Sequence, residues 1–192
     1  DYSHGYSQAT SGISRDRQYM AGGVAAGDYD NDGWTDLYIT RGSIGKNLLF
    51  RNQGNGTFAE VSEQAQVDLT AQENTGATFA DYDGDGWLDL LINGLNNTQS
   101  TLFRNLGDGT FSDVSRSAGL PSITQTMGSS FADYDKDGDL DFWITHWTAS
   151  RQGKYLWRNE GNGTFTDASA IAGIKNDTFA DYSLNFADIN ND

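Results

Sequence analysis

Asp28-Tyr29-Asp30-Asn31-Asp32-Gly33-Trp34-Thr35-Asp36 returns as Asp81-Tyr82-Asp83-Gly84-Asp85-Gly86-Trp87-Leu88-Asp89, then as Asp133-Tyr134-Asp135-Lys136-Asp137-Gly138-Asp139-Leu140-Asp141. A fourth copy opens at Asp188-Ile189-Asn190-Asn191-Asp192, so the starts lie 53, 52 and 55 residues apart. Asp181 is a decoy: a loop begun there would carry Ser183 and Asn185 where the others carry carboxylates. A recurrence of this length decides the fold before any single residue is interpreted.

Working outward, each complete loop runs into an apolar stretch: Leu37-Tyr38-Ile39, Leu90-Leu91-Ile92 and Phe142-Trp143-Ile144. A second block follows, with Phe50-Arg51-Asn52, Phe103-Arg104-Asn105 and Trp157-Arg158-Asn159 each leading to Gly-Asn-Gly-Thr-Phe or Gly-Asp-Gly-Thr-Phe. In the middle copy, Ala77 to Ala80 enters the loop and Leu90 to Ile92 leaves it. Leu102 to Asn105 and Thr110 to Val114 then form a hairpin across a glycine turn. Four short strands per period of roughly 40 to 55 residues mark a propeller blade. The sequence therefore predicts an all-β chain of four-stranded antiparallel β-propeller blades.

The copies divide residues 1–192 as a partial propeller. Residues 1–20 end a preceding blade, and 21–67, 68–120 and 121–174 are blades with loops 28–36, 81–89 and 133–141. Residues 175–192 start a further blade with the truncated loop 188–192. About three and a half blades leave open edges, so a longer chain is expected to complete the ring.

The loop spacing is that of a calcium site. Asp at positions 1, 3, 5 and 9 supplies hard oxygens, and Gly at position 6 allows the turn that folds later ligands back. Position 7 is expected to give its backbone carbonyl, from Trp34, Trp87 or Asp139. The predicted ligands are Asp28, Asp30, Asp32, Trp34 and Asp36; Asp81, Asp83, Asp85, Trp87 and Asp89; and Asp133, Asp135, Asp137, Asp139 and Asp141. Asp188, Asn190 and Asp192 belong to the truncated loop, which gives three complete Ca2+ sites and part of a fourth. An EF-hand would need Glu at position 12, where Ile39, Ile92 and Ile144 stand. Zinc or copper would want nitrogen or sulfur, and the chain has two His and no Cys.

Composition points the same way. The net charge is −15, yet only Glu60, Glu63, Glu73 and Glu160 among the 27 acidic residues are Glu. Asp in such excess signals turns and metal ligands rather than a solvated surface, and unscreened carboxylates this close repel one another. The charge also argues against nucleic acid as a partner, and no apolar stretch is long enough to span a membrane. Nothing assembles a nucleophile, a base and an oxyanion site, so the segment reads as non-enzymatic. The tryptophans are expected to fill space between blades, and Arg51, Arg104 and Arg158 to pair with neighbouring acids.

The combination of Phe-Ala-Asp-Tyr-Asp-x-Asp-Gly, Phe-Arg-Asn-x-Gly-Asp-Gly-Thr-Phe-x-Asp-Val-Ser and Ala-Gly-Leu resembles the FG-GAP/VCBS repeat, in its ASPIC-type, cartilage acidic protein-like form. The resemblance implies an integrin-α-like propeller, typically seven-bladed, secreted or surface-attached, with calcium on one face. It points to a calcium-binding scaffold at the cell surface, in the matrix or in a bacterial envelope or periplasm, whose partner is another protein or a glycan. A lectin-like propeller, or an accessory propeller of a polysaccharide-active enzyme, is the alternative; pockets recurring between blades would favour the lectin.

Overall fold

The computed structural model describes residues 22–42, 45–70, 72–96, 98–120, 124–146, 155–174, 184 and 186–187. The segment 1–20 and the loop residues Asp188, Asn190 and Asp192 lie outside the described residues. Those described form twelve strands and no helix.

Three four-stranded antiparallel sheets follow one another along the chain, each with its strands in sequence order. The first holds β1 (Val24–Gly27), β2 (Asp36–Ile39), β3 (Leu48–Asn52) and β4 (Phe58–Glu60). The second holds β5 (Asn74–Ala80), β6 (Asp89–Gly94), β7 (Thr101–Asn105) and β8 (Phe111–Asp113). The third holds β9 (Thr126–Ala132), β10 (Asp141–His146), β11 (Leu156–Asn159) and β12 (Phe165–Asp167). These are propeller blades, as the repeat predicts. Each acidic loop joins the first strand to the second, with Gly27 paired to Asp36, Ala80 to Asp89 and Ala132 to Asp141.

The core lies between blades rather than within one. Tyr29, Tyr38, Leu49 and Val67 of the first blade pack with Leu90, Ile92, Phe103 and Phe111 of the second. On the other face of the second sheet, Leu91, Leu102 and Leu120 meet Phe142, Ile144, Trp157 and Phe165 of the third. Strand β6 is accordingly buried along its whole length, which is why Leu90-Leu91-Ile92 is a continuous apolar run and not an alternating one. Aromatic pairs bridge each seam, Tyr29 to Phe111 at 5.7 Å and Tyr82 to Phe165 at 5.5 Å between ring centres.

The first strands of successive blades approach closely. A Cβ on Gly23 would sit 2.9 Å from the Cα of Gly76, so no larger residue fits there. Hydroxyls stitch the same line: Thr75 donates to the Thr126 carbonyl at 2.8 Å and Thr78 to that of Ser129 at 3.0 Å. At the outer edge, the Phe111 and Phe165 amides donate to the carbonyls of Ala65 and Ala118 in the preceding blade, at 3.0 and 2.8 Å.

Candidate metal centres and the seams beside them

The three loops are superimposable in their hydrogen bonding. The carboxylate at position 1 accepts from the backbone N–H groups of positions 5 and 6: Asp28 from Asp32 and Gly33 at 3.1 and 2.8 Å, Asp81 from Asp85 and Gly86 at 3.1 and 3.0 Å, Asp133 from Asp137 and Gly138 at 3.1 and 3.0 Å. Asp32, Asp85 and Asp137 each accept from the N–H of position 7, which is Trp34, Trp87 and Asp139, at 2.9 to 3.0 Å. The loop glycines are left-handed, with φ of 89°, 90° and 97° at Gly33, Gly86 and Gly138. Position 4 is left-handed too, and at Asn31 and Lys136 a non-glycine residue takes that conformation.

Position 9 does more than its spacing suggested. Asp36 is fully buried; one oxygen accepts from the Tyr29 amide at 3.1 Å and the other from the Asn52 amide at 2.8 Å. Asp89 takes Tyr82 and Asn105 in the same way, and Asp141 takes Tyr134 and Asn159. Each of these carboxylates thus ties the loop to the third strand of its blade.

The structure brings together Asp28, Asp30 and Asp32, then Asp81, Asp83 and Asp85, then Asp133, Asp135 and Asp141, each trio offering oxygens within 4.8 Å of one another. The donor set is entirely hard oxygen, which suits calcium and not a thiophilic metal. A buried oxygen of Asp30 also has no hydrogen-bond partner, as an acceptor aimed at a cation would. The residues present therefore fit the ion the spacing predicts.

The electrostatics agree. Burial pushes the Asp36 carboxyl up to about 6 and that of Asp89 to about 7, against the opposing pull of their backbone donors. Asp141 and Asp30 are raised for the same first reason, and the charge of Asp32 adds to the effect at Asp30. The phenols of Tyr29 and Tyr82 are pushed up to about 12 by burial and then by neighbouring carboxylates. A bound divalent cation inverts this logic by favouring the ionised carboxylates.

The recurring arginines pair with neighbouring acids in all three blades, as expected, with loop aspartates in the first two and an acid outside the loop in the third. Arg51 Nε lies 3.5 Å from Asp30, and Arg104 reaches Asp83 at 2.6 Å and Asp85 at 2.9 Å. Arg158 instead engages Glu160, an acid standing where the other copies have Gln53 and Leu106. Trp34 and Trp87 depart from the packing role expected of them. Their indoles lie against Gly54 and Gly107, in the hairpin turn of their own blade, and Trp34 is 51% exposed. Trp157 does fill the seam between the second and third blades.

The asparagine of each Arg-Asn pair went unassigned in the sequence. Asn105 donates to the Leu88 carbonyl in its own blade and to the Tyr29 carbonyl in the preceding loop, at 3.0 and 2.8 Å. Asn159 repeats this with Leu140 and Tyr82. Asn31 donates across the same seam to the Gly86 carbonyl at 2.9 Å, joining one loop directly to the next. Only the recurrence of the asparagine two residues before the Gly-x-Gly turn hinted at this.

Three successive four-stranded blades, each carrying an acidic loop whose carboxylates could hold a metal ion, define a repeat propeller. The chain belongs to the FG-GAP-like repeat family, which it matches over residues 28–92 and 81–144. It is 31% identical over 142 residues to mouse cartilage acidic protein 1, covering 72% of this chain and 21% of that protein. The human protein of the same name is 29% identical over 142 residues, and that of Xenopus tropicalis 28% over 133. The chain spans about a fifth of the length of these curated relatives. A solved Agrocybe aegerita lectin, described as recognising non-reducing terminal N-acetylglucosamine, aligns with a TM-score of 0.43 at 22% identity, covering 83% of this chain and 42% of that one.

Proposed function

We propose that the chain is part of a non-enzymatic, calcium-stabilised β-propeller scaffold outside the cell, which holds its loops rigid for recognition of another macromolecule. The blades are taken as 21–67, 68–120 and 121–174, with calcium held by Asp28, Asp30, Asp32 and Asp36 and their counterparts in the next two loops. The position 7 carbonyls of Trp34, Trp87 and Asp139 complete each set. The observation that carries the reading is the threefold recurrence of the same hydrogen-bonded loop with a gathered acidic trio, from positions 1, 3 and 5 in the first two blades and from positions 1, 3 and 9 in the third. When bound, the cation neutralises the crowded carboxylates; three such ions would take the formal charge from −15 to −9. The chain's own contribution is the position 9 aspartate, which transmits the ordering of the loop to the third strand. Extracellular calcium, at a surface, in a matrix or in an envelope, suits the weak to moderate affinity of such loops.

The test is thermal unfolding of metal-stripped protein with added calcium or magnesium, together with metal analysis. Calcium is expected to raise Tm well beyond magnesium, with one ion per complete loop. Each site filled at about 100 times its Kd adds about 2.7 kcal/mol. An identical melting curve with and without calcium would remove the metal from the reading and leave the scaffold alone.

A further inference from the structure

Asn-Gly occurs three times in the chain, at Asn55-Gly56, Asn93-Gly94 and Asn162-Gly163. The dipeptide carries its own reactivity, because the unhindered glycine amide lies one residue from the asparagine carboxamide. The fold treats the three in opposite ways. Asn93 is 1% exposed in β6, and its Nδ2 donates to Ser129 Oγ at 3.1 Å. The Gly94 amide donates to Ser100 Oγ and Thr126 Oγ1 at 3.3 and 2.8 Å. Asn55 and Asn162 are instead exposed at the tips of the β3–β4 and β11–β12 hairpins. Neither their Nδ2 atoms nor the amides of Gly56 and Gly163 have an acceptor among the described residues. Their Oδ1 atoms are held twice, Asn55 by the Thr57 amide and hydroxyl at 3.0 and 2.6 Å, Asn162 by those of Thr164 at 3.0 and 2.6 Å. A Cβ on Gly56 or Gly163 would meet nothing within 4 Å, so the approach to each amide is open.

We propose that Asn55 and Asn162 are sites of spontaneous deamidation, and that the fold confines this chemistry to the two hairpin tips while sparing Asn93. Water or hydroxide takes the proton of the Gly56 amide, whose nitrogen adds to Cγ of Asn55. Negative charge develops on Oδ1, where the two Thr57 donors already point. The Cγ–Nδ2 bond then breaks, and the nitrogen leaves as ammonia with the proton returned to it. Water opens the resulting succinimide at either carbonyl, giving aspartate or isoaspartate. One water is consumed, one ammonia is released, and nothing is oxidised or reduced. Gly163, Asn162 and Thr164 repeat these steps. At Asn93 the attacking N–H and the leaving nitrogen are both engaged, and water is kept out. The second blade shows that the turn accepts the product. Asp108 stands at this place, and its Oδ1 takes the Thr110 amide and hydroxyl at 3.0 and 2.6 Å. The Thr110 hydroxyl, and then its amide, hold the Asp108 carboxyl below its ordinary range. Conversion at both tips adds one negative charge each, so −15 becomes −17. The loop pairs Asp32-Gly33, Asp85-Gly86 and Asp137-Gly138 are guarded from the same ring closure, since the position 1 carboxylate takes each glycine amide.

The full chain would be held at mildly alkaline pH, folded and in urea, and mapped by peptide mass spectrometry for the amide-to-acid mass gain, with released ammonia assayed in parallel. In the folded chain Asn55 and Asn162 are expected to convert at least about tenfold faster than Asn93, and in urea the three rates are expected to converge. D108N, which gives the second turn the residue its two counterparts carry, is expected to fold normally and to add a third converting site. Retention of the amide at Asn55 and Asn162 in the folded chain, while the urea sample converts, overturns the proposal. Conversion of Asn93 as fast as the tips, or a D108N chain that gains no third site, overturns it equally. The readout is peptide mass rather than melting, so it stands apart from the calcium test.

Discussion

Asp89 shows how much one side chain carries in this repeat. It is buried, and each of its oxygens takes a different backbone amide, one from the loop and one from the third strand. Asn keeps the shape but offers a single acceptor, leaving one buried N–H unpaired. D89N is therefore expected to lose about 1 to 3 kcal/mol in urea unfolding and to lower the calcium bound by one equivalent. The same burial fixes a pH dependence in the metal-free chain. Asp36 and Asp89 titrate at about 6 and 7, above the ordinary aspartate value of 3.8. The folded state then holds protons that the unfolded state has released. That contribution is fully present below pH about 4 and is lost as pH rises through 6 to 7. Tm of stripped protein is expected to fall across this window, and saturating calcium to abolish the fall. A stripped protein whose Tm rises from pH 4 to 7 would contradict the assignment.

At the scale of strands and loops, what was legible in the sequence is what repeats locally. The alternation of loop, apolar run and glycine turn placed all four strands of the middle blade, and the Asp spacing placed the trios that the fold brings together. The partners of Asn105 and Asn159 could not be read, because each reaches 76 or 77 residues back into the preceding blade. No local pattern reports contacts at that separation. The setting of Trp87 was hidden likewise: only the fold lays its indole on Gly107 in the hairpin turn of its own blade. Asn105 gives the test proper to this scale. N105A strands the Tyr29 and Leu88 carbonyls, so a loss of about 2 to 4 kcal/mol is expected. Hydrogen exchange should locate the weakening in loop 28–36, a full blade away, and protection unchanged there would contradict a role for Asn105 across the seam.

At the scale of the molecule, the blades form a series in which each touches only its neighbours, and the core is the set of seams. Stability in such arrays is a sum of unit and interface terms. Here the interface term passes through the acidic loops themselves, since Asn31 bonds Gly86 and Asn105 bonds Tyr29. The loops are thus wired in series, and an ion that orders one lowers the cost of ordering the next. Calcium isotherms are expected to be steeper than those of independent sites, and N105A to flatten them toward independence. A hyperbolic isotherm in the unaltered chain would show instead that the loops fill without regard to one another. Where coupling holds, a fall in ambient calcium does not soften the blades one by one. It releases neighbouring blades together, so the scaffold has a threshold.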